Sequence, residues 1–172
     1  SVQVERLQGY GRIVMEDYGI GEGDLLWIVN AYGINSATID AALTAKEKGA
    51  KIIGVSSREH AETCPKEHVA RHPSKLNLHD IVDCAVDCKV KLGDATLEID
   101  GFPQKIGALS TYANAYVMNC IVIEAINMLV NKLLSSKAMI GRPWFMIWLI
   151  FFAGICLGGL NSVVVIVIFL EF

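Results

Sequence analysis

Two short apolar runs, separated by a segment of helix formers, constrain the fold of this chain more than any other feature. Residues 25–29 (Leu-Leu-Trp-Ile-Val) and 51–56 (Lys-Ile-Ile-Gly-Val-Ser) lack the alternation of a half-exposed strand, which is typical of strands buried on both faces. Between them lies an alanine-rich helix that Asn35 or Ser36 can cap and Gly49 can close. A strand, a helix and a strand within about 30 residues are the βαβ unit of a parallel sheet. The sequence therefore predicts an α/β fold with a parallel sheet flanked by helices.

The remaining segments predict one more strand and further helices. Residues 4–17 have a loose helical pattern, residues 81–86 form a third short strand, and residues 107–134 form a long apolar helix. Residues 57–78 are rich in histidine and proline and predict a loop with a short helix, while residues 87–105 predict an irregular connection. Loops of such length often carry function.

The charges divide the chain into a domain, residues 1–137, and an apolar tail, residues 138–172. Mean hydropathy is +0.42 and 19% of the residues are charged, and residues 143–170 contain no charged residue at all. That run is long enough to span a bilayer, and the basic residues before it would keep the domain on the cytoplasmic side. A foreign tail, for instance from a shifted reading frame, explains the same run equally well.

Composition excludes several functional classes. A net charge of −3 gives no support for a nucleic-acid partner. The five cysteines are unevenly spread and predict reduced thiols in the cytoplasm rather than a disulfide framework. Residues 1–8 have no signal-peptide features. Because the first residue is Ser1 rather than methionine, we expect further sequence upstream.

A polar loop leads from the first predicted strand directly into the predicted helix. Its sequence is Asn30-Ala31-Tyr32-Gly33-Ile34-Asn35-Ser36. Amides at a helix N-terminus lack intrahelical acceptors and lie at the positive end of the helix dipole, so they can bind a phosphate. Ligands of open parallel sheets bind at the carboxyl ends of the strands, where Ser56 and Ser57 can line the same pocket. A turn and a helix cap alone would explain the same residue types.

This segment and several separated motifs resemble the SIS (sugar isomerase) domain family, in particular a bacterial subgroup of uncharacterised SIS domain-containing proteins. The similarity covers about residues 1–134, and residues 24–57 resemble the family's central strand, helix and following strand. The other shared landmarks are Glu5-Arg6-Leu7-Gln8-Gly9-Tyr10-Gly11, Arg71-His72-Pro73-Ser74-Lys75, Gly93-Asp94-Ala95 and Lys105-Ile106-Gly107. The resemblance implies a flavodoxin-like parallel sheet and a partial SIS domain, because the family's upstream strand and Gly/Ser loop would precede Ser1.

The resemblance also implies a phosphosugar-binding site. The family's loop pattern S-x-S-G-x-[ST] falls on residues 30–35, where only Gly33 is unchanged and Tyr32 places a ring at a position usually held by a small hydroxyl residue. The implied phosphosugar-binding residues are Asn30, Ala31, Tyr32, Gly33, Asn35, Ser36, Ser56 and Ser57.

Five residues of the long loop are candidates for acid–base catalysis, since an isomerase needs such groups within hydrogen-bond reach of its substrate. These are Glu59, His60, Glu62, His68 and His72. Three of the histidines and Cys64 recur every four residues, but prolines interrupt any helix that would stack them, so neither a metal nor a cofactor is predicted. Because many SIS proteins sense a phosphosugar without catalysis, no base is assigned.

Three functional hypotheses follow. The chain binds a phosphorylated sugar or other carbohydrate derivative, or it is an isomerase or lyase acting on one, or it is a non-catalytic sensing or structural module with a degenerate phosphate site filled by Tyr32. The helix of residues 107–134 is apolar around much of its circumference, which predicts a homodimer unless an upstream helix covers it. We expect a cytoplasmic protein, or a membrane-anchored one if residues 143–170 span a bilayer.

Overall fold

The computed structural model describes residues 2–135 and 167–169. The helices are α1 (Val2–Glu5), α2 (Tyr10–Asp17), α3 (Ser36–Glu47), α4 (Arg58–Thr63), α5 (Leu78–Ile81) and α6 (Ser110–Ser135). The strands are β1 (Leu25–Val29), β2 (Lys51–Ser56), β3 (Cys84–Asp87), β4 (Ala95–Leu97), β5 (Ile106–Ala108) and β6 (Val167–Phe169).

The main sheet is parallel and has the strand order β3-β2-β1-β6. Strands β1 and β2 pair along their whole length, from Leu25 opposite Lys51 to Val29 opposite Val55. The predicted α/β fold is therefore confirmed, and the βαβ unit has the predicted strand bounds. Helix α3 begins after its cap Asn35, and Gly49, with φ of +84°, allows the left-handed turn that leads into β2.

The core lies where α2 and α3 pack with the sheet. Its large, almost completely buried side chains come from α2, β1, α3, β2 and α5: Met15, Leu26, Ile28, Ile39, Ile52 and Leu78. Burial of each such side chain contributes about 1.5–3 kcal/mol. The uninterrupted apolar runs of the two strands are thus explained by their burial, which fixes the carboxyl ends of β1 and β2 side by side.

Three of the predicted assignments are wrong. The helix predicted from residue 107 begins at Ser110, because residues 106–108 form β5. The third strand covers Cys84–Asp87 instead of residues 81–86, because Leu78–Ile81 form helix α5 and Ile81 is buried in the core. Helix α5 is stabilised at its start by Asp80, whose Oδ2 accepts hydrogen bonds from Asn77 N at 3.1 Å and Nδ2 at 2.9 Å. The connection of residues 87–105 is not wholly irregular, since it contains β4, which pairs with β5 in an antiparallel hairpin.

The chain divides into two units, Ser1–Asn114 with Val164–Phe172, and Ala115–Val163. The candidate site lies in the first. Within the described part, Ser110–Lys132 is one helix with the length and apolar character of a membrane span, a weak indication of membrane insertion. The predictions for residues 143–170 fall outside the described residues except for β6, so both accounts of the tail stay predictions.

Candidate functional site

The loop after β1 is folded tightly against the end of β2. Asn30 is buried, and its Oδ1 accepts a hydrogen bond from Gly33 N at 2.7 Å. Gly33 has φ of +61°, and a Cβ at this position would lie 2.8 Å from Ser56 Cβ and 2.9 Å from Ser56 Oγ. Ala31 O accepts from Ser57 N at 2.9 Å, which fixes the loop on the other side. Glycine is therefore required both by the backbone conformation and by the close approach of β2.

The loop ends at the N-terminus of α3, where several donors of largely buried residues lie close together. Asn35 Oδ1 caps the helix by accepting from Thr38 N at 2.9 Å. Ser36 and Ala37 are buried, and their backbone amides have no acceptor among the described residues. The side chain of Asn35 also contacts Glu5, with Nδ2 3.5 Å from Oε2, and burial raises the pKa of that carboxyl group although Arg6 opposes this. A raised pKa lessens the repulsion that Glu5 would exert on a bound anion.

Ser36 and Ser56 differ from Ser57 in how their hydroxyl groups are used. All three residues are at most 2% exposed. Ser57 Oγ donates to Val90 O at 2.6 Å and accepts from His60 N at 3.1 Å, so it caps α4 and holds the chain after β3. Among the described residues, neither Ser36 Oγ nor Ser56 Oγ makes a hydrogen bond to the protein.

Tyr32 lies against α4. Its ring stacks on that of His60, with the centroids 4.1 Å apart and the planes inclined by 24°. Burial lowers the pKa of His60, and the positive charges of His68 and Arg71 add to this effect while Asp94 opposes it. His60 Nδ1 is buried without a hydrogen-bond partner in the part of the chain that the structure describes. The lowered pKa therefore favours the neutral form of the imidazole beside the loop.

The comparison with known proteins agrees with this strand–loop–helix arrangement. The profile of the SIS domain family matches residues 1–57. A UPF0309 protein of Oceanobacillus iheyensis is 36% identical over 124 residues, which are 72% of this chain and 49% of that protein. UPF0309 proteins of Brucella anthropi and Brucella ovis are 35% identical over 132 residues, 77% of this chain and 52% of theirs. The chain therefore carries part of a SIS domain. It spans about half the length of these relatives.

The five acid–base candidates of this SIS chain have different partners. Glu59 is exposed and pairs with Lys91 at 2.9 Å, and the exposed Glu62 lies 3.9 Å from His79 Nε2. His68 is exposed, and its Nδ1 accepts from Ala70 N at 3.3 Å. His60 and His72 are the two candidates with largely buried rings, and His72 is also tied to the loop because its backbone N donates to Ile34 O at 2.9 Å.

Metal binding has no structural support in this loop. Helix α4 ends at Thr63, so the four-residue repeat of histidines and Cys64 does not lie on one helix. Within residues 2–135 and 167–169, no group of three or more histidine, cysteine, aspartate and glutamate side chains is arranged to hold a metal ion.

Arg71, whose role was not predicted, organises the segment of residues 57–78 that carries all five candidates. Its guanidinium group is buried and donates to four acceptors, namely Pro65 O at 2.9 Å, Asn77 Oδ1 at 2.9 Å, Cys64 O at 2.8 Å and Ala61 O. An arginine in a proline-bounded loop was the available signal, but its burial and its acceptors are determined only by the fold.

The role of Asp94 was likewise not predicted, and this residue fixes the start of α6. Its carboxylate accepts from Leu109 N at 2.9 Å, from Ser110 N at 2.7 Å and from Ser110 Oγ at 2.8 Å.

We expect Asp94→Ala to lower the free energy of unfolding by about 1–2 kcal/mol, because the cap and its favourable interaction with the helix dipole are lost. Asp94→Asn, which keeps one acceptor and tolerates the φ of +60° at this position, should cost less. Urea denaturation of both variants measures the difference, and equal losses would contradict this assignment.

Proposed function

We propose that this chain binds a phosphorylated sugar, or another carbohydrate derivative with an anionic group, at the loop of residues 30–36. The observation that carries the proposal is a set of donors that have no acceptor among the described residues and that lie on residues at most 2% exposed: the amides of Ser36 and Ala37 and the hydroxyls of Ser36 and Ser56. Donors at a helix N-terminus that have no partner in the protein favour a ligand rich in acceptor oxygens.

A phosphate group meets these requirements. It offers several acceptor oxygens and a negative charge, which the N-terminus of the 12-residue helix α3 stabilises. The amide of Gly33 is already used by Asn30 and the amide of Thr38 by Asn35, so these two asparagines shape the loop. The sugar part of the ligand is proposed from the match of residues 1–57 to the SIS domain family rather than from any contact in this chain.

The serine side chains give a direct test of this proposal. We expect Ser36→Ala and Ser56→Ala each to weaken binding of a hexose or hexosamine phosphate about tenfold or more, because a hydrogen bond to a charged group contributes about 1.5–3 kcal/mol. Their unfolding free energies should change by less than about 0.5 kcal/mol, since no bond to the protein is lost. Titration calorimetry and urea denaturation measure the two effects.

Ser57→Ala is the matched control, because its hydroxyl caps α4 instead of facing a ligand. It should lower the free energy of unfolding by about 1 kcal/mol and leave the dissociation constant unchanged. If Ser36→Ala and Ser56→Ala bind the phosphate as tightly as the wild-type chain, the proposed site is wrong.

A second candidate function is isomerase or lyase activity on the same ligand, and the state of His60 favours it. The lowered pKa favours the neutral imidazole, and its unpartnered Nδ1 has a free lone pair with which it can act as a general base. Turnover that is lost in His60→Gln, while binding persists, would support this function. Turnover that is unchanged in that variant would remove His60 from the candidates.

The third hypothesis, a non-catalytic module with a filled phosphate site, depends on Tyr32. The ring is stacked on His60, and it stands where a small hydroxyl residue is usual in the family. If the ring blocks the site, Tyr32→Ser should create or strengthen phosphate binding in calorimetry. If the ligand already binds beside the ring, the same variant should change the affinity little.

We also propose that the protein is cytoplasmic and forms a homodimer through α6. Large apolar side chains on this helix are exposed, among them Tyr112, Tyr116, Ile123 and Met128. Exposed apolar surface of this kind favours association. Light scattering at tens of micromolar protein should give the mass of a dimer, and a monomer would contradict the proposal.

A further inference from the structure

Three polar side chains form a hydrogen-bonded chain outside the proposed phosphate contacts. Ser74 Oγ lies 2.7 Å from His72 Nδ1, and His72 Nε2 lies 3.1 Å from Asp40 Oδ1. The second carboxylate oxygen of Asp40 accepts from Gly9 N at 2.6 Å. A hydroxyl, an imidazole and a carboxylate are thus connected in this order, which is the arrangement of an activated nucleophile.

The neighbouring backbone determines which imidazole nitrogen carries the hydrogen. Ser74 N donates to His72 Nδ1 at 3.1 Å, and an amide can only donate, so Nδ1 is unprotonated in this arrangement. The hydrogen of the neutral ring is therefore on Nε2, where it points to Asp40. The Ser74 hydroxyl must donate to Nδ1 as well, so its oxygen faces a base in the correct tautomer.

Ser74 is the solvent-exposed member of the three. Ser74 is exposed, whereas the side chains of His72 and Asp40 are 13% and 15% exposed. The partial burial of His72 and Asp40 strengthens the interaction of the carboxylate with the ring. Leu76 N donates to Ser74 Oγ at 3.4 Å, so this oxygen has a long contact with a backbone amide and is open to solvent.

We propose that Ser74 is an activated nucleophile that accepts an acyl group from small esters, with His72 as its base and Asp40 as a positioning residue. Ser74 Oγ attacks the ester carbonyl carbon while its proton passes to His72 Nδ1. The bond to the leaving oxygen then breaks, the leaving alcohol takes up that proton, and the acyl group stays on Ser74 as an ester. Water activated by His72 hydrolyses this ester, releases the carboxylic acid and returns a proton to Ser74.

Asp40 acts through the tautomer of His72, so its replacement by asparagine is informative. In Asp40→Asn the side-chain oxygen can still accept from Gly9 N, which leaves the amide nitrogen to donate to His72 Nε2. The ring hydrogen must then move to Nδ1, where the Ser74 hydroxyl can no longer use the nitrogen as a base. If the bond between His72 and Asp40 only held the loop against α3, the reactivity of Ser74 would not depend on this tautomer.

Labelling with a fluorophosphonate tests the proposal on the full chain. The reagent forms an O–P bond with an activated serine while the P–F bond breaks, fluoride leaves and the hydroxyl proton passes to His72. We expect one adduct, located at Ser74 by peptide mass spectrometry, that is absent in Ser74→Ala and forms at least tenfold more slowly in Asp40→Asn. Thr63→Ala, an exposed hydroxyl that only donates to Glu59 O, should be labelled at the wild-type rate.

Nitrogen NMR of the wild-type chain provides a measurement that needs no variant. The spectrum should show the His72 hydrogen on Nε2. A hydrogen on Nδ1, no adduct at Ser74, or equal labelling rates in wild-type and Asp40→Asn chains would each overturn the proposal. The Ser36→Ala and Ser56→Ala chains should be labelled normally, so failure of the phosphosugar site would not affect this result.

Discussion

Replacing Arg71 by methionine should lower the free energy of unfolding by about 3 kcal/mol or more. The buried guanidinium group donates to the carbonyl oxygens of Pro65, Cys64 and Ala61 and to the side chain of Asn77. Methionine fills similar volume but leaves these acceptors without their donor, and each buried unsatisfied group costs about 1–3 kcal/mol. Urea denaturation followed by circular dichroism measures the loss.

Arg58→Met is the matched control for Arg71, because the Arg58 side chain is exposed and no side-chain hydrogen bond is lost. Its free energy of unfolding should stay within about 0.5 kcal/mol of the wild-type value. Arg71→Lys keeps the charge, but the lysine ammonium group cannot reach all the acceptors of the planar guanidinium group. This variant should therefore be destabilised as well. Equal stability of the Arg58 and Arg71 methionine variants would show that the loop does not depend on this side chain.

Gly11→Ala should destabilise the domain by about 2–4 kcal/mol, because it forces α2 away from α3. A Cβ on Gly11 would clash with Ala37 O and lie 2.5 Å from Ala41 N and 2.9 Å from Asp40 Cβ. Two of these atoms belong to the backbone of α3 and cannot rotate away. The variant should therefore weaken both the core and the N-terminus of the helix on which the proposed phosphate site depends.

Gly21→Ala provides the comparison, since no atom lies within 4 Å of the added Cβ and the backbone conformation suits any residue. Its melting temperature should stay close to that of the wild-type chain or rise slightly, because alanine reduces the freedom of the unfolded chain. A similar loss of stability in both glycine variants would contradict the close packing of α2 on α3.

The βαβ unit could be predicted from the sequence because its signals are local. Residues 25–29 and 51–56 are continuously apolar, and both strands are central in a parallel sheet. The cap Asn35 and the closing Gly49 lie within the segment whose ends they define. By contrast, β4 and β5 are three residues each and mostly exposed, so their pairing leaves no comparable hydrophobic pattern.

The candidate site was only partly accessible from the sequence for the same reason. The loop of residues 30–36 could be recognised because a strand, a glycine turn and a helix cap follow one another directly. The different uses of Ser56 and Ser57 depend on Val90 and Gly33, which only the fold brings close. The same holds for two sets of hydrogen bonds, that between His72 and Asp40 and those from Arg71 to carbonyl oxygens in α4 and at its C-terminal end. They join segments that no local sequence pattern connects.

Amide-detected NMR, with a hexosamine phosphate titrated into the chain, tests the central claim most directly. We predict that the amide signals of Ser36 and Ala37 shift most, because their free N–H groups would donate to the phosphate, and that Gly33 shifts less because its amide already donates to Asn30. The unphosphorylated hexosamine should shift neither set at the same concentration. Saturation at millimolar ligand without movement of the Ser36 and Ala37 signals, or no binding at all, would contradict the account.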